Sequence, residues 1–161
     1  MRIIVLTFVA FLITSCGSRE IGTPKPRGYF RIEFPKKAYQ HFDATSPFSF
    51  DYPTYAILEQ DTDFNKEADW FNLQFPGMKA TLHLSYKPIK GDIKKLLEDS
   101  RSLVYKHTVK AEAIDETLII DDQNAKFGVY YTIKGDAASS FQFIVTDSCN
   151  HLMRGALYFK V

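Results

Sequence analysis

The feature that most constrains the fold is a strict alternation of apolar and polar side chains over residues 79–87. Ala80, Leu82, Leu84 and Tyr86 fall on one side of an extended chain, and the polar residues between them fall on the other side. This pattern predicts a β-strand with one buried face. Shorter or less regular versions predict further strands at 28–34, 48–50, 55–59, 70–75, 113–120, 127–133, 141–145 and 152–159.

One stretch has a helical period instead. Between Asp92 and His107 the apolar residues recur at the i, i+3, i+4, i+7 spacing of an amphipathic helix, and Asp92 is suited to cap its first turn. Connections of about four residues between the later strands are of hairpin length. The sequence therefore predicts an α+β fold: a mostly antiparallel sheet, arranged as a meander, with one main helix packed on one face. We expect a single domain over residues 28–161.

Composition excludes several classes of protein. The chain has 161 residues with 20 Lys and Arg against 19 Asp and Glu, so it lacks the basic excess of nucleic-acid-binding proteins. A hydrophobic content of 45% and an aromatic content of 15% are too high for a disordered chain. Two cysteines are too few for a disulfide-stapled scaffold. The composition favours a globular protein that does not bind nucleic acid.

Residues 1–15 predict a lipoprotein signal peptide. The apolar run Ile3–Ile13 is interrupted only by Thr7 and is too short to cross about 30 Å of hydrocarbon. It leads into Ile13–Ser15 and then Cys16, which resembles the bacterial lipobox, where the cysteine receives a diacylglycerol. An ordinary secretory signal is the alternative, although its small-residue cleavage site is absent. We expect lipidation of Cys16 and a membrane anchor. Residues 16–27, rich in Gly and Pro, predict a solvated tether.

Few residues suggest catalysis. Cys149 and His151 lie two positions apart, so on one strand they would share a face and could form a thiol nucleophile with its base. The alternative interpretation is a structural cysteine beside a turn. No histidine has the spacing of a metal site, and no nucleotide-binding motif occurs, so we expect no metal ion and no cofactor.

The polar side of the predicted sheet is a candidate interaction face. Its Tyr and Arg content is typical of protein interfaces, although an ordinary solvent-exposed sheet face remains the alternative. The positions that stand opposite the apolar ones are Thr81, His83, Ser85, Tyr130, Thr132, Gln142, Thr146, Arg154 and Tyr158.

Several segments together resemble one known family, and these are 24–32, 70–72, 82–87, 98–100, 106–107, 146–148 and 151–159. The family that they resemble is the gliding motility lipoprotein GldD of Bacteroidetes, and the resemblance covers nearly the whole chain after Cys16. It implies a cell-envelope lipoprotein needed for gliding motility and type IX protein secretion, with no enzymatic activity. It also implies that other motility and secretion proteins of the envelope are partners.

Three functional interpretations follow from these observations. The first is a non-catalytic lipoprotein that docks envelope partners through the polar sheet face, together with an N-terminal segment containing Arg27, Tyr29 and Arg31. The second is an envelope hydrolase or thiol enzyme that uses Cys149 and His151. The third is a lipoprotein that binds a small ligand on the concave side of the sheet. We expect the chain to face the periplasm from the cell membrane or the outer membrane.

The resemblance also bears on the C-terminus. Members of the family continue past the last predicted strand with a proline-containing segment and a helix, whereas this chain ends at residue 161. We therefore expect either a truncated domain or a lost tail.

Overall fold

The computed structural model describes residues 28, 31–43, 46–61 and 69–160. The predicted signal peptide, the lipidation site Cys16 and the tether lie outside these residues. The chain divides into two units between Phe34 and Pro35, and every helix and strand below belongs to the second unit. In chain order these are β1 (Tyr39–Phe42), β2 (Phe50–Pro53), β3 (Ile57–Gln60), β4 (Trp70–Phe75), β5 (Ala80–Pro88), α1 (Ile93–Tyr105), β6 (Ala111–Asp121), β7 (Lys126–Gly135), β8 (Ser139–Thr146) and β9 (His151–Phe159), with short 3₁₀ turns at Pro76–Met78 and Lys106–Val109.

The strands form a seven-stranded antiparallel sheet and a separate hairpin. The order in the large sheet is β3-β4-β5-β9-β8-β7-β6, and β1 pairs with β2. The prediction of a mostly antiparallel α+β fold is confirmed, and β6 to β9 form the expected meander. The last strand, β9, also pairs with β5, so α1 links the inner strand β5 to the edge strand β6.

The strand predicted at 28–34 is wrong for its described part. Residues 31–38 contain no strand, and the side chains of Ile32 and Phe34 are 69% and 70% exposed. Alternation alone does not make a strand, because an extended segment also needs a neighbour that accepts its backbone hydrogen bonds. Pro35, which lacks an N–H group, directly follows the alternating residues. The first strand begins instead at Tyr39.

The helix α1 covers one face of the large sheet, which we call the helix face. Asp92 caps the helix as predicted, accepting a hydrogen bond from the backbone N–H of Lys95 at 3.0 Å. Val104 on α1 has no exposed surface and packs in a cluster with buried side chains of β7, β8 and β9. The members of that cluster on the strands are Tyr131, Ile133, Ile144 and Leu152.

Aromatic side chains of the first hairpin cover part of the opposite face, which we call the hairpin face. The ring of Phe42 lies 5.0 Å from that of Phe71 on β4, and the ring of Phe48 lies 5.3 Å from that of Tyr86 on β5. Leu73 and Leu84 are buried in the same cluster. Both faces of the sheet are therefore covered. The helix α1 packs on one face, and aromatic side chains of the first hairpin pack on part of the other.

Candidate functional site

Five of the predicted interaction residues come together on the helix face of β5 and β9. Thr81 pairs with Tyr158 across β5 and β9, and Ser85 pairs with Arg154, so these four side chains point to one side of the sheet. His83 lies between Thr81 and Ser85 on the same strand and belongs to the same face. The alternation in the sequence is sufficient to place these residues together once β5 and β9 are neighbours.

The other four residues of the predicted interaction face do not lie on the same exposed surface. Gln142 and Thr146 lie on the helix face but are buried, with 0% and 6% of their surface exposed. Tyr130 pairs with Phe143, and Thr132 pairs with Phe141, so both belong to the hairpin face. The predicted single surface is therefore divided between the two sides of the sheet.

The reason for this division lies in the pairing of β7 with β8. The apolar residues Val129 and Tyr131 of β7 pair with Ile144 and Gln142 of β8, on the side that α1 covers, and not with Phe141 and Phe143 on the other side. Because a one-residue shift exchanges the two faces of a strand, the choice between them depends on which element packs against the sheet.

The polar residues that do come together form what we call the arginine patch: Trp70, Asn72, His83, Ser85, Arg154 and Tyr158. They lie on β4, β5 and β9, where Trp70 pairs with Ser85 and Asn72 pairs with His83. His83 Nδ1 and Asn72 Oδ1 are 2.6 Å apart, and the rings of His83 and Tyr158 meet edge to face at 5.5 Å. Sequence reasoning missed Trp70 and Asn72, although the polar positions of β4 alternate as clearly as those of β5.

Arg154 is the most unusual member of the patch. Its Nη2 donates a hydrogen bond to Oε1 of Gln142 at 2.8 Å, while its Nε is buried without an acceptor among the described residues. No carboxylate of the described residues forms an ion pair with it. Burial lowers the pKa of Arg154, and the nearby Tyr158 only partly opposes this. The described part of the chain therefore supplies no counter-charge to this half-buried cation.

Two further hydrogen-bond donors, one on β4 and one on β8, also have no acceptor among the described residues. The indole Nε1 of Trp70 and the amide Nε2 of Gln142 are buried with no acceptor among the described residues. Buried donors without partners are rare in folded proteins and cost free energy. All three of these groups are donors, so each lacks an acceptor among the described residues.

The pair Cys149 and His151 does not have the geometry of a catalytic dyad. Cys149 is exposed, and the described contacts of the His151 ring are with Tyr86, whose hydroxyl lies 2.7 Å from Nδ1, and with Asp147, 4.0 Å from Nε2. The turn that contains Cys149 is instead organised by Asp147. Its Oδ1 accepts hydrogen bonds from the backbone N–H groups of Cys149, Asn150 and His151 at 2.8–2.9 Å.

The hydrogen bonds in this turn make the contribution of Asp147 to folding stability depend on pH. Burial alone would raise its pKa, but the hydrogen bonds from the backbone N–H groups of His151, Cys149 and Asn150 outweigh burial and lower the pKa below its usual value. The charged form is thus favoured in the folded state, so its contribution is present at neutral pH and is lost as the pH falls through the lowered pKa.

We expect Asp147→Asn to lower the free energy of unfolding by about 1.5 kcal/mol at pH 7, since a neutral amide oxygen accepts these bonds more weakly. The difference from the unmodified chain should shrink below about pH 4. Urea unfolding at several pH values measures this difference in the free energy of unfolding. Asp136→Asn is a matched control, because Asp136 is an exposed aspartate in another turn between two strands. Equal effects of the two substitutions would contradict this account of the turn.

In the described ranges, no helix has both the length and the apolar character needed to span a bilayer. The same ranges contain no group of three His, Cys, Asp or Glu side chains arranged to hold a metal ion.

Comparison with known proteins gives one match. The model of a protein family described as gliding motility lipoprotein GldD matches residues 19–161. No curated protein and no solved structure matches the chain. The family match covers both the arginine patch and the helix that packs beside it.

Proposed function

We propose that this chain, which belongs to the gliding motility lipoprotein GldD family, is a non-catalytic assembly component of the gliding motility and type IX secretion machinery. The family is one of membrane-anchored envelope lipoproteins. In this proposal a lipid on Cys16 holds the chain on the periplasmic side of a membrane. The folded part then docks other envelope proteins of the machinery through the arginine patch.

The observation that supports docking at this place is the uncompensated charge of Arg154. A cation removed from water is costly unless a counter-charge and hydrogen-bond acceptors replace the water. Within the described part of the chain, Arg154 has one side-chain amide as its acceptor and no carboxylate. An acceptor supplied from outside would remove this cost.

The chemistry of the patch indicates what the partner presents. A guanidinium group binds carboxylates through two parallel hydrogen bonds, a geometry that lysine cannot reproduce. Two of the surrounding side chains, Trp70 and Tyr158, are of the kinds that dominate binding energy in protein interfaces. We therefore propose that the partner places an Asp, Glu or C-terminal carboxylate against Arg154.

The N-terminal residues Arg27, Tyr29 and Arg31 remain a second candidate docking segment. Of these, only Arg31 is among the described residues, and it is exposed. Their place between the proposed lipid anchor and the sheet would keep them near the membrane surface.

Alanine variants in a gliding strain test the proposal. Arg154→Ala should abolish or strongly reduce colony spreading and the export of secreted adhesins, because loss of a desolvated charge pair weakens docking by at least 2 kcal/mol, about thirtyfold. His83→Ala should reduce spreading to a smaller extent, since the described contacts of His83 are with Asn72 and Tyr158 and it carries no buried charge.

Lys87→Ala is the matched control. Lys87 is exposed on the same strand and the same face, two residues from Ser85. Immunoblots should show equal amounts of all variants in the envelope. Normal spreading and export in the Arg154→Ala strain, with normal protein level, would overturn the docking proposal.

A further inference from the structure

A cavity of about 480 Å³ lies between the first hairpin and the hairpin face of the sheet. Its walls are provided by β2 and Phe48 on one side and by β4, β5, β8 and β9 on the other. This volume is within the range of sites that bind small molecules. An α-helix occupies roughly 400–600 Å³ for each turn, so the cavity is too small for a helix of a partner protein.

The inner strands β8 and β9 are covered unequally on their two faces. On the helix face, Gln142, Ile144 and Leu152 are buried. On the hairpin face, Phe143 and Met153 are only half-buried, although both lie on strands that have a neighbour on either side. Apolar surface left open in this way forgoes the free energy that its burial would provide. A ligand in the cavity would cover this surface.

The walls of the cavity are almost entirely apolar. Phe48, Phe50, Leu82, Val145 and Met153 contribute aromatic rings, branched methyl groups and a flexible thioether. Such a lining offers little to a polar metabolite, because a buried polar group needs hydrogen-bond partners that these side chains cannot supply. It is well suited to a flexible hydrocarbon chain.

Gly155 helps to shape this space. A Cβ atom at position 155 would overlap the ring of Phe143 on the neighbouring strand β8. Glycine therefore lets this ring lie close against β9, and any larger residue would push the ring away from that strand. The shape of the cavity wall thus depends on the sequence of β9.

The charged side chains that border the cavity already have partners in the chain. Asp51 and His41 are paired at 2.7 Å, and Asp147 accepts three backbone hydrogen bonds. Lys126 lies directly opposite Asp121 in the pairing of β6 and β7, and the two charges interact. None of these groups therefore needs a charge from a ligand.

The balance of the border charges also disfavours a charged ligand. Asp51 and Asp147 place two carboxylates there against one lysine, so an anion meets repulsion that Lys126 does not offset. A cation gains little, because both carboxylates already have hydrogen-bond partners. The ring of His151 is within hydrogen-bond distance of the Tyr86 hydroxyl. A ligand that suits both the walls and the border is uncharged.

From the apolar walls and the partnered border charges together, we propose that the cavity binds an uncharged lipid, with its hydrocarbon chain between the hairpin and the sheet and its polar end at the border. A fatty alcohol is the simplest member of this class. An anionic amphiphile and a phospholipid of the membrane both bring an anionic group to the border, and they are the occupants that the test must distinguish. The cavity is on the opposite side of the sheet from the arginine patch, so it can be occupied independently of docking.

Photolabelling of the full-length chain in phosphatidylcholine nanodiscs tests this proposal. The probe is palmityl alcohol with a diazirine at its terminal carbon, and labelled peptides are identified by mass spectrometry. Palmityl sulfate and phosphatidylcholine carrying the same diazirine, each at the same mole fraction, are the comparison probes. We expect the alcohol to label the β5, β8 and β9 residues that line the cavity about fivefold more than either comparison probe.

Three variants make the test specific to the cavity. Val145→Trp fills the cavity and should reduce labelling of these strands by the alcohol about tenfold. Thr132→Trp is the matched control and should leave labelling unchanged, because Thr132 is exposed on the same face and does not line the cavity. Lys126→Gln should also leave labelling by the alcohol unchanged, since an uncharged ligand does not depend on the ammonium group.

Equal labelling of Val145→Trp and Thr132→Trp would overturn the proposal, as would labelling by palmityl sulfate or by phosphatidylcholine equal to that by the alcohol. The comparison of the three probes uses the unmodified chain, so it decides between an uncharged and an anionic ligand even if Val145→Trp fails to fold. Absence of label from the alcohol on β5, β8 and β9 would contradict binding in the cavity.

Discussion

Replacement of Ile144 by alanine is expected to lower the free energy of unfolding by about 3 kcal/mol. Ile144 is only 1% exposed and lies in the buried cluster that also contains Val104 of α1. Removing its buried methyl and methylene groups loses their transfer free energy and leaves a cavity beneath the helix. This substitution therefore tests whether α1 covers the face of β8 that the structure assigns to it.

Leu118→Ala is the control for this prediction. Leu118 lies on the edge strand β6 and is 72% exposed, so its replacement should change the free energy of unfolding by less than about 0.5 kcal/mol. Urea unfolding measures both variants, with an unchanged m-value showing that the unfolded state is the same. Similar small losses in the two variants would mean that the helix does not pack over β8.

The second large effect is expected from reversal of the charge at position 154. Arg154→Glu should eliminate gliding and export more completely than Arg154→Ala, because it places a carboxylate against the partner's carboxylate. Arg154→Lys should be intermediate, since an ammonium group keeps the charge but not the two parallel hydrogen bonds. The expected order of colony spreading is therefore Arg, Lys, Ala, Glu, and time-lapse measurement of colony edges determines it.

Protein stability is the control for that order. Arg154 is half-buried and bonded to Gln142, so each variant also changes the folded chain. Thermal unfolding of the purified variants shows how much of the effect is structural. If Arg154→Lys and Arg154→Glu are equally stable and spread equally well, the charge at this position has no role in docking.

Much of the fold follows from local patterns. The alternation at 79–87 and the helical stripe after Asp92 predict β5 and α1 nearly to their ends, because both patterns depend on burial of one side of a regular element. The hairpin-length connections predict the order of β6 to β9. The pairing of β9 with β5 is not predictable in this way, since it joins strands far apart in sequence.

The candidate site was predictable only in part for the same reason. Alternation places His83, Ser85 and Arg154 on polar positions, but their meeting depends on the long-range pairing of β5 and β9. The sequence predicts Gln142 and Tyr130 on one surface, because each strand taken singly has a polar residue at that position. Tertiary packing decides otherwise: α1 buries Gln142, and the register turns Tyr130 to the hairpin face.

The most direct test of docking through Arg154 is a selection for suppressors of Arg154→Glu. Spreading revertants are isolated from this strain, and their genomes are sequenced. If a partner places a carboxylate against Arg154, some revertants should carry an Asp or Glu to Lys or Arg substitution in another envelope protein of the machinery. Revertants confined to position 154 or to other residues of this chain would contradict the proposed contact.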